Sequence, residues 1–300
     1  MMVRAGRRNN VHGWLVLDKP AGMTSMHAVS RLKSLFNAKK AGHAGTLDPI
    51  ATGVLPVAFG EATKTVPFVQ EGEKAYRFTV RWGIETNTDD CEGEAVAQSE
   101  IRPTAAEVEA LLPRFTGLLE QRPPAFSAIK INGERAYDLA RGGEVPELSA
   151  RTVTIHAFDL INAGREAAIF EARCGKGTYV RALARDLGRS LGCYGHVSAL
   201  RRTRVGPFFE VDAIGLEELE KDPSGAQALR HVEAGLSELR RVAVDKGVAA
   251  KLRRGQPVLL RGQDLPLNGL AYAACGGVVI AVGAIEKGEL IPGRIFNLSQ

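Results

Sequence analysis

The sequence predicts an α+β fold, with a mixed, largely antiparallel central sheet flanked by helices and a small β-barrel near the C-terminal end. Strand-like and helix-like segments follow one another without the regular alternation of a βαβ protein. After about residue 240, short apolar runs separated by glycine and proline replace the longer amphipathic segments. We therefore expect a large domain over residues 1–238 and a small one over residues 239–300.

Local patterns predict the first elements of the large domain. In "HGWLVLDKPAGMTS", a turn at residues 20–22 ends a strand, and Thr24 or Ser25 is placed to cap the helix that follows. The segment "AYRFTVRWG" alternates as a strand does, which places Tyr76 on the same side as two apolar residues. "TAAEVEALLPRF" has the pattern of a short helix capped by Thr104.

A strand, a glycine-rich turn and a helix are predicted in "AAIFEARCGKGTYVRALARDLGRSLG", with Thr178 as the helix cap. The turn is not a Walker-type phosphate loop, because Phe170 occupies the first glycine position and Gly177 follows the lysine. Arg181 falls in the first turn of the helix, where a cation opposes the helix dipole. It therefore needs a carboxylate partner such as Asp48, or it points at solvent or at a phosphate.

Composition excludes several classes of protein. The chain has 300 residues, a net charge of +5 and no apolar run long enough to span a membrane. "MMVRAGRRNN" lacks the apolar segment of a secretory signal, and the four cysteines form no C-x-x-C pair, so we expect a cytoplasmic protein with reduced thiols. Cys193 and His196 have a ligand-like spacing but no second pair, so we expect no metal site.

Basic side chains concentrate in residues 171–204, which hold eight cations and two acids, a net charge of +6. The rest of the chain is close to balanced. This distribution favours a polyanionic partner, although a solvated helix face would show the same pattern.

The loop "GHAGTLDPIATG" at residues 42–53 holds one acid in a defined setting. Pro49 disfavours the helical conformation at Asp48, and nearby glycines allow tight backbone paths. Asp48 either caps a helix that begins at Pro49 or is a fixed catalytic carboxylate with His43 close by.

The segment "RPPAFSAIKINGERAYDLARGGE" combines a Pro-Pro break, four basic residues and a Gly-Gly end. We expect an insertion at about residues 122–150 that lies over a surface as a lid or clamp.

Together these motifs closely resemble the TruB family of tRNA pseudouridine synthases. The resemblance covers roughly residues 11–210 and includes "LDKPAGMTS", "GHAGTLDPIATGVLP", "AYRFTVRWGIETNTDD", "QRPPAFSAIKINGERAYDLARGG", "RCGKGTYVRALARDLG" and "HVSALRRTRVGPF". The tail resembles the PUA-like RNA-binding domain of such enzymes. The family implies the pseudouridine synthase fold and an isomerase, an intramolecular transferase, that converts uridine 55 in the TΨC stem-loop of tRNA without a cofactor or an obligatory protein partner.

The resemblance also implies roles for the catalytic residues. Asp48 would be the nucleophile, with attack at C1′ of the sugar, attack at C6 of the base, or C2′ proton loss and a glycal-type intermediate all left open. Arg181 would pair with Asp48, orient it and favour its ionised form. Tyr76 would stack on the uracil, and its hydroxyl could assist late removal of the C5 proton.

Further residues are implied in substrate binding. His43 would fill the space that the flipped nucleotide leaves, or brace the loop around it. Tyr179 and Leu200 would wall an apolar pocket. The alternative for both tyrosines, Tyr76 and Tyr179, is an ordinary half-buried core position, and Leu200 could line the pocket and pack in the core at once. Lys19, with Pro20, would support the pocket floor.

Phosphate contacts would come from the insertion, with Lys130 and Arg141, and from the +6 segment. Two alternatives remain: a pseudouridine synthase for another RNA, and an RNA-binding, tRNA-folding chaperone.

Overall fold

The computed structural model describes residues 8–127, 148–221, 228–260 and 268–298, and the backbone of residues 130–131 and 134–135. In chain order the strands are β1 (Gly13–Lys19), β2 (Ala41–His43), β3 (Thr52–Phe59), β4 (Lys74–Trp82), β5 (Ile84–Thr86), β6 (Ala95–Gln98), β7 (Gly117–Gln121), β8 (Lys130–Ile131), β9 (Glu134–Arg135), β10 (Arg151–Ala163), β11 (Ala167–Cys174), β12 (Gly195–Val205), β13 (Phe208–Phe209), β14 (Ile214–Gly215), β15 (Arg240–Ala243), β16 (Val258–Leu259), β17 (Gly269–Cys275), β18 (Val278–Glu286) and β19 (Glu289–Ile295). The α-helices are α1 (Ser25–Leu35), α2 (Val66–Glu71), α3 (Ala105–Leu111), α4 (Val180–Ser190), α5 (Leu216–Lys221) and α6 (Lys246–Arg253), and 3₁₀ helices lie at Gly60–Lys64, Leu112–Phe115, Glu210–Asp212 and Val232–Leu236.

A ten-stranded sheet forms the large part of the molecule, in the order β14–β1–β3–β12–β4–β11–β10–β7, with β2 beside β3 and β13 beside β12. The β1–β14 and β3–β12 pairs are parallel. The other pairs are antiparallel. This arrangement confirms the predicted mixed, largely antiparallel sheet.

The core of this sheet follows from the alternation in β4. Phe78 and Val80 are buried against Leu183 and Leu187 of α4, and Tyr76 packs on the edge of the same cluster. The apolar stripe of the helix therefore covers the middle of the sheet.

Two helix caps were predicted from the sequence and are confirmed. The Thr24 hydroxyl accepts the His27 N–H at 3.1 Å. Thr104 and Glu107 form a reciprocal capping box at the start of α3.

The alternative in which Asp48 caps a helix is excluded, and the predicted helix cap at Thr178 is wrong. No helix begins at Pro49; residues 48–51 form a turn in which the Ala51 N–H donates to the Asp48 carbonyl at 3.1 Å. The cap position of α4 is Tyr179, and Thr178 donates its hydroxyl to the Gly175 carbonyl instead. Side chains from distant elements bind the backbone at both places: Lys19 donates to the Pro49 carbonyl, and Gln121 binds the N–H and the carbonyl of Tyr179.

A second sheet of five strands has the order β15–β17–β18–β19–β16, with only β15–β17 parallel. It corresponds to the small β unit predicted after residue 240. The domain boundary at 238/239 stays a prediction. Within the described residues, the helices are all too short or too polar to cross a membrane.

The two sheets share one hydrophobic cluster. Tyr272, Val282 and Phe296 of the small unit pack in it with Trp14 and Val69 of the large one. Three hydrogen bonds also join the two units. The Tyr272 hydroxyl donates to the Glu233 carboxylate, the Lys64 ammonium donates to the Ile295 carbonyl, and the Asn297 N–H donates to the Glu61 carboxylate. Because a core side chain stabilises whatever it packs against, the two units are expected to unfold together.

Replacing Phe296 tests this shared core. Phe296→Ala leaves a cavity at the seam and is expected to lower the free energy of unfolding by about 3–5 kcal/mol. Differential scanning calorimetry should show one transition, shifted to lower temperature. Leu259→Ala, in the same small sheet but exposed, is the control and should shift it little. Two separated transitions in the Phe296 variant, with the higher one unmoved, would contradict a common core.

Candidate active site

Three adjacent strands bring the predicted catalytic residues together. The loop that carries Asp48 runs into β3, which lies parallel to β12, and β12 lies beside β4. Arg202 of β12 pairs with Gly53 on one side and with Tyr76 on the other. The loop, Tyr76 and the start of α4 therefore converge over the middle of the sheet.

The segment after β1 holds the backbone of this loop. The Ser25 hydroxyl donates to the Leu47 carbonyl at 3.0 Å and accepts the Leu47 N–H at 2.8 Å. The Gly22 N–H donates to the Pro49 carbonyl at 2.8 Å. These bonds secure the peptide groups on both sides of Asp48.

Lys19 lies fully buried under the loop. Its ammonium donates to the carbonyls of Pro20 and Met23 at 2.8 Å each and to the Pro49 carbonyl at 3.3 Å. Burial, opposed by the charge of Asp48, lowers the pKa of Lys19 to about 8. With its ammonium engaged by three carbonyls, Lys19 is placed to support the floor of the site.

Arg202 is a buried residue whose role sequence reasoning missed. Its guanidinium donates to three carbonyls of the loop and of β3: Val54 at 2.8 Å and Thr46 and Gly45 at 3.1 Å. Gly53 allows this close approach, because a side chain there would begin 2.2 Å from the Arg202 carbonyl. Arg202 thus fixes the path of the loop from inside the sheet.

Asp48 and Arg181 form an ion pair, as predicted. Arg181 Nε lies 2.9 Å from Asp48 Oδ2, while 6% of the arginine side chain and 34% of the aspartate side chain are exposed. The Nε–H is not aligned for a hydrogen bond, so the contact is electrostatic. The cation is enclosed, and the carboxylate keeps a face open to a ligand.

Arg181 has three other partners, none of them predicted. Nη1 donates to the Thr88 carbonyl at 2.9 Å and lies 3.3 Å from Asp90 Oδ2, and Nη2 donates to the Phe126 carbonyl at 2.9 Å. Asp90 is itself held by the Thr88 hydroxyl at 2.6 Å and by the Glu92 N–H at 3.0 Å. Arg181 therefore lies between two carboxylates, one fixed and one open.

The two predicted tyrosines, Tyr76 and Tyr179, are both half-buried and neutral. Tyr76 is half-buried in β4, and burial, against the charge of Arg202, raises its pKa to about 12. Tyr179 is half-buried, and burial raises its pKa as well. Both hydroxyls therefore stay protonated near neutral pH.

Gln121 holds the residue that begins α4, which has no side-chain cap of its own. Its buried carboxamide accepts the Tyr179 N–H at 2.8 Å and donates to the Tyr179 carbonyl at 3.1 Å. No sequence pattern pointed to it, because the contact joins residues 58 positions apart.

His43 and Leu200 complete the set of predicted residues that the structure describes. His43 ends β2; burial, followed by the charge of Arg202, lowers its pKa, so the ring is neutral at pH 7. Its Nδ1 is buried with no hydrogen-bond partner among the described residues. Leu200 is buried in the main core cluster. The side chains of Lys130 and Arg141 lie outside the described residues.

The predicted phosphate-binding role of the +6 segment is wrong for its buried members. Arg181, Arg185 and Arg202 are buried, and their partners are acids or carbonyls of the protein itself. The other five cations form ion pairs: Arg173 and Arg204 with Glu73, Lys176 with Glu71, Arg189 with Glu85, and Arg201 with Asp18 and Glu210. Because these acids lie outside residues 171–204, the net charge of that segment overestimated the number of cations without an acidic partner. Among the described residues no cluster of His, Cys, Asp or Glu could hold a metal ion.

Comparisons with known proteins agree on one family. The family model described as "TruB family pseudouridylate synthase (N terminal domain)" matches residues 33–180. The model described as "tRNA pseudouridylate synthase B C-terminal domain" matches residues 181–232. The chain is 59% identical to the tRNA pseudouridine synthase B of Rhodopseudomonas palustris, over 97% of this chain and 82% of that protein. It is 58% identical to the same enzyme of Bradyrhizobium diazoefficiens, over 99% and 89%.

Solved structures share the fold. A chain in the crystal structure of a Cbf5–Nop10–Gar1 complex superposes with a TM-score of 0.73 at 25% identity, covering 95% of this chain and 84% of that one. A chain in the structure of an H/ACA RNP bound to a substrate RNA containing 2′-deoxyuridine gives a TM-score of 0.74 at 23% identity, covering 96% and 85%.

Removing one anchor tests whether Ser25 holds the loop. Ser25→Ala leaves the buried N–H and carbonyl of Leu47 without their partner, and should lower the free energy of unfolding by about 1–3 kcal/mol. Urea denaturation measures the loss. Ser30→Ala, on the exposed face of the same helix, is the matched control and should change little. Equal effects of the two substitutions would mean that the Ser25 bonds do not stabilise the loop.

The lowered pKa of His43 predicts a pH effect on stability. Below pH 6.5 the unfolded chain takes up a proton at this residue more readily than the folded chain, so acidification costs folding free energy. His43→Asn should therefore lose less stability than the wild type between pH 7 and pH 5. Thermal melts of both proteins across this range provide the measurement, and parallel pH curves would contradict the prediction.

Proposed function

Since the chain belongs to the TruB family of pseudouridylate synthases, we propose that it isomerises uridine 55 in the TΨC stem-loop of tRNA to pseudouridine. The observation that carries the proposal is the one-sided ion pair: an open Asp48 carboxylate against an enclosed Arg181. We place the reaction in the cytoplasm, where tRNA is modified.

The chemistry needs one such carboxylate. Pseudouridine formation breaks the bond between N1 of uracil and C1′ of the sugar and makes a bond between C5 and C1′. A carboxylate can serve as the covalent catalyst, by attack at C1′ or at C6, or it can remove a C2′ proton on the way to a glycal-type intermediate. In each route Asp48 must be ionised and oriented, and the charge of Arg181 at 2.9 Å supports both requirements.

Tyr76 is proposed to stack on the detached uracil and to hold it while it turns. Tyr76 pairs in register with Arg202 of β12, the strand that lies between β4 and β3. Because its pKa is raised to about 12, its hydroxyl would meet the substrate as a hydrogen-bond donor. In removal of the C5 proton it would then act as a relay that passes one proton on while it accepts another.

Three residues are proposed to enclose the flipped nucleotide. The neutral, partly buried ring of His43 suits insertion into the space that the base leaves. Tyr179 and Leu200 would form the apolar wall, with Lys19 beneath the loop. Lys130 and Arg141 are proposed phosphate contacts on the sequence pattern, and the small C-terminal unit is proposed to be a PUA-like RNA-binding domain.

A synthase that acts on another RNA is the second candidate, because the structural neighbours include a chain of an RNP bound to substrate RNA. The curated relatives, at 58–59% identity, bear the name tRNA pseudouridine synthase B and favour tRNA. A tRNA-folding chaperone without catalysis is disfavoured, because it would not need the Asp48–Arg181 pair. Incubation of the purified protein with an unmodified tRNA transcript, followed by mapping of pseudouridine at single-nucleotide resolution, separates the three candidates.

The decisive variant is Asp48→Asn, which keeps the shape of the side chain and removes its negative charge. We expect it to bind the transcript with wild-type affinity in a filter-binding assay and to form no pseudouridine. Asp159→Asn, an exposed position on β10, is the matched control and should form product at the wild-type rate. Substantial turnover by the Asp48 variant would overturn the assignment of the nucleophile.

A further inference from the structure

Three arginines on one face of α4 contact β5 and the turn that follows it at residues 87–90. Arg181, Arg185 and Arg189 are spaced four residues apart, so their side chains lie along one line of the helix. Asp90 and Asp89 of the turn pair with Arg181 and Arg185, and Glu85 of β5 pairs with Arg189.

The three pairs differ in burial. About 8% of the Arg185 side chain is exposed, which is close to the value for Arg181, whereas 53% of Arg189 is exposed. A buried guanidinium requires an acceptor for each of its donor groups. Arg185 has them: Nη1 donates to Asp89 Oδ2 at 2.9 Å, Nη2 to the Arg122 carbonyl at 2.8 Å and Nε to Asp186 at 2.8 Å.

Arg185 therefore binds the same two segments that enclose Arg181. One is the turn, where Thr88 and Asp90 contact Arg181. The other is the stretch at the start of the insertion, residues 122–126, which supplies the Phe126 carbonyl. Arg185 hydrogen-bonds to both segments, at Asp89 and at the Arg122 carbonyl, within a few residues of the groups that contact Arg181.

The bond to Arg185 stabilises the turn at Asp89, where the backbone has a positive φ. Asp89 has a φ of 62°, in the left-handed region that residues other than glycine adopt uncommonly. The Arg185 bond holds its carboxylate, and the Val197 N–H donates to its carbonyl at 3.1 Å. Relaxation of Asp89 would move the Thr88 carbonyl and the Asp90 carboxylate, which flank it.

We propose that Arg185 is a positioning residue for the reaction at Asp48. It fixes the turn and the start of the insertion so that Arg181 holds the nucleophile at its working distance, and it contacts no substrate itself. The inference rests on the proposed function for its kinetic test, and a spectroscopic test stands apart from activity.

The kinetic test uses single-turnover rates on the tRNA transcript, with its dissociation constant measured on the same samples. Arg185→Met should lower the rate by about 10²-fold, the scale expected of a small misplacement of reacting groups, with the dissociation constant nearly unchanged. Arg185→Lys, which keeps the charge but not the three-way contact, should fall between. Arg189→Met, the half-exposed arginine one turn further on, should stay within about fivefold of the wild type.

Asp89→Asn extends the test should Arg185→Met fail to fold. It should lower the single-turnover rate without weakening tRNA binding. The double variant with Arg185→Lys should lose less rate than the product of the two single reductions, because both substitutions remove the same contact. Full activity in Arg185→Lys and Asp89→Asn would overturn the proposal. So would a loss of tRNA affinity equal to the loss of rate.

The spectroscopic test follows the Arg181 Nε–H resonance by ¹⁵N NMR in the free protein. It should shift in Arg185→Lys and stay in place in Arg189→Met; no shift in the Arg185 variant would overturn the proposal even if the protein modified no tRNA. Absence of product in the wild type would count against the proposed function alone.

Discussion

The one-sided ion pair of Arg181 and Asp48 sets the requirements for everything around it. A guanidinium withdrawn from water is tolerated only when its donors are matched by acceptors, and the cost of failing to do so is several kcal/mol. The two Nη groups of Arg181 donate to the carbonyls of Thr88 and Phe126, Asp90 adds its negative charge beside Nη1, and the Nε–H faces Asp48 without an aligned hydrogen bond. The helix, the turn and the start of the insertion are therefore located with respect to each other by the needs of one side chain.

The loop on the other side of the pair is held through its backbone. Lys19, Ser25 and Arg202 all bind peptide groups between residues 45 and 54, and none contacts the Asp48 carboxylate as a hydrogen-bond donor. Such an arrangement restricts the direction of the carboxylate while leaving its lone pairs for a substrate, which is the form of preorganisation that lowers the cost of reaching a transition state. The backbone atoms of the loop thus provide its stability, while the Asp48 carboxylate stays available for reaction.

Much of this could be predicted from the sequence, and the failures have a common cause. The caps at Thr24 and Thr104, the buried face of β4 and the mixed sheet follow from patterns over a few residues. The Asp48–Arg181 pair followed from family resemblance and from the unfavourable place of a cation at a helix start. Gln121 and Arg202 bind backbone carbonyl and N–H groups far along the chain, and because almost every residue carries these groups, no local pattern marks the contacts. The charge of residues 171–204 misled for the same reason, because most of the acids that pair with these cations lie outside this segment, such as Glu73, Glu71 and Glu85.

The core shared by the two sheets has a consequence for how the tail can vary. Tyr272 and Phe296 pack in the same cluster as Trp14, near the beginning of the chain. The seam therefore behaves as an internal packing surface, where shape must match on both sides. A C-terminal unit grafted from a relative would have to bring the complementary residues of the first strand with it. Substitutions in β1 and in the tail are therefore expected to be coupled, although more than 200 residues separate these segments.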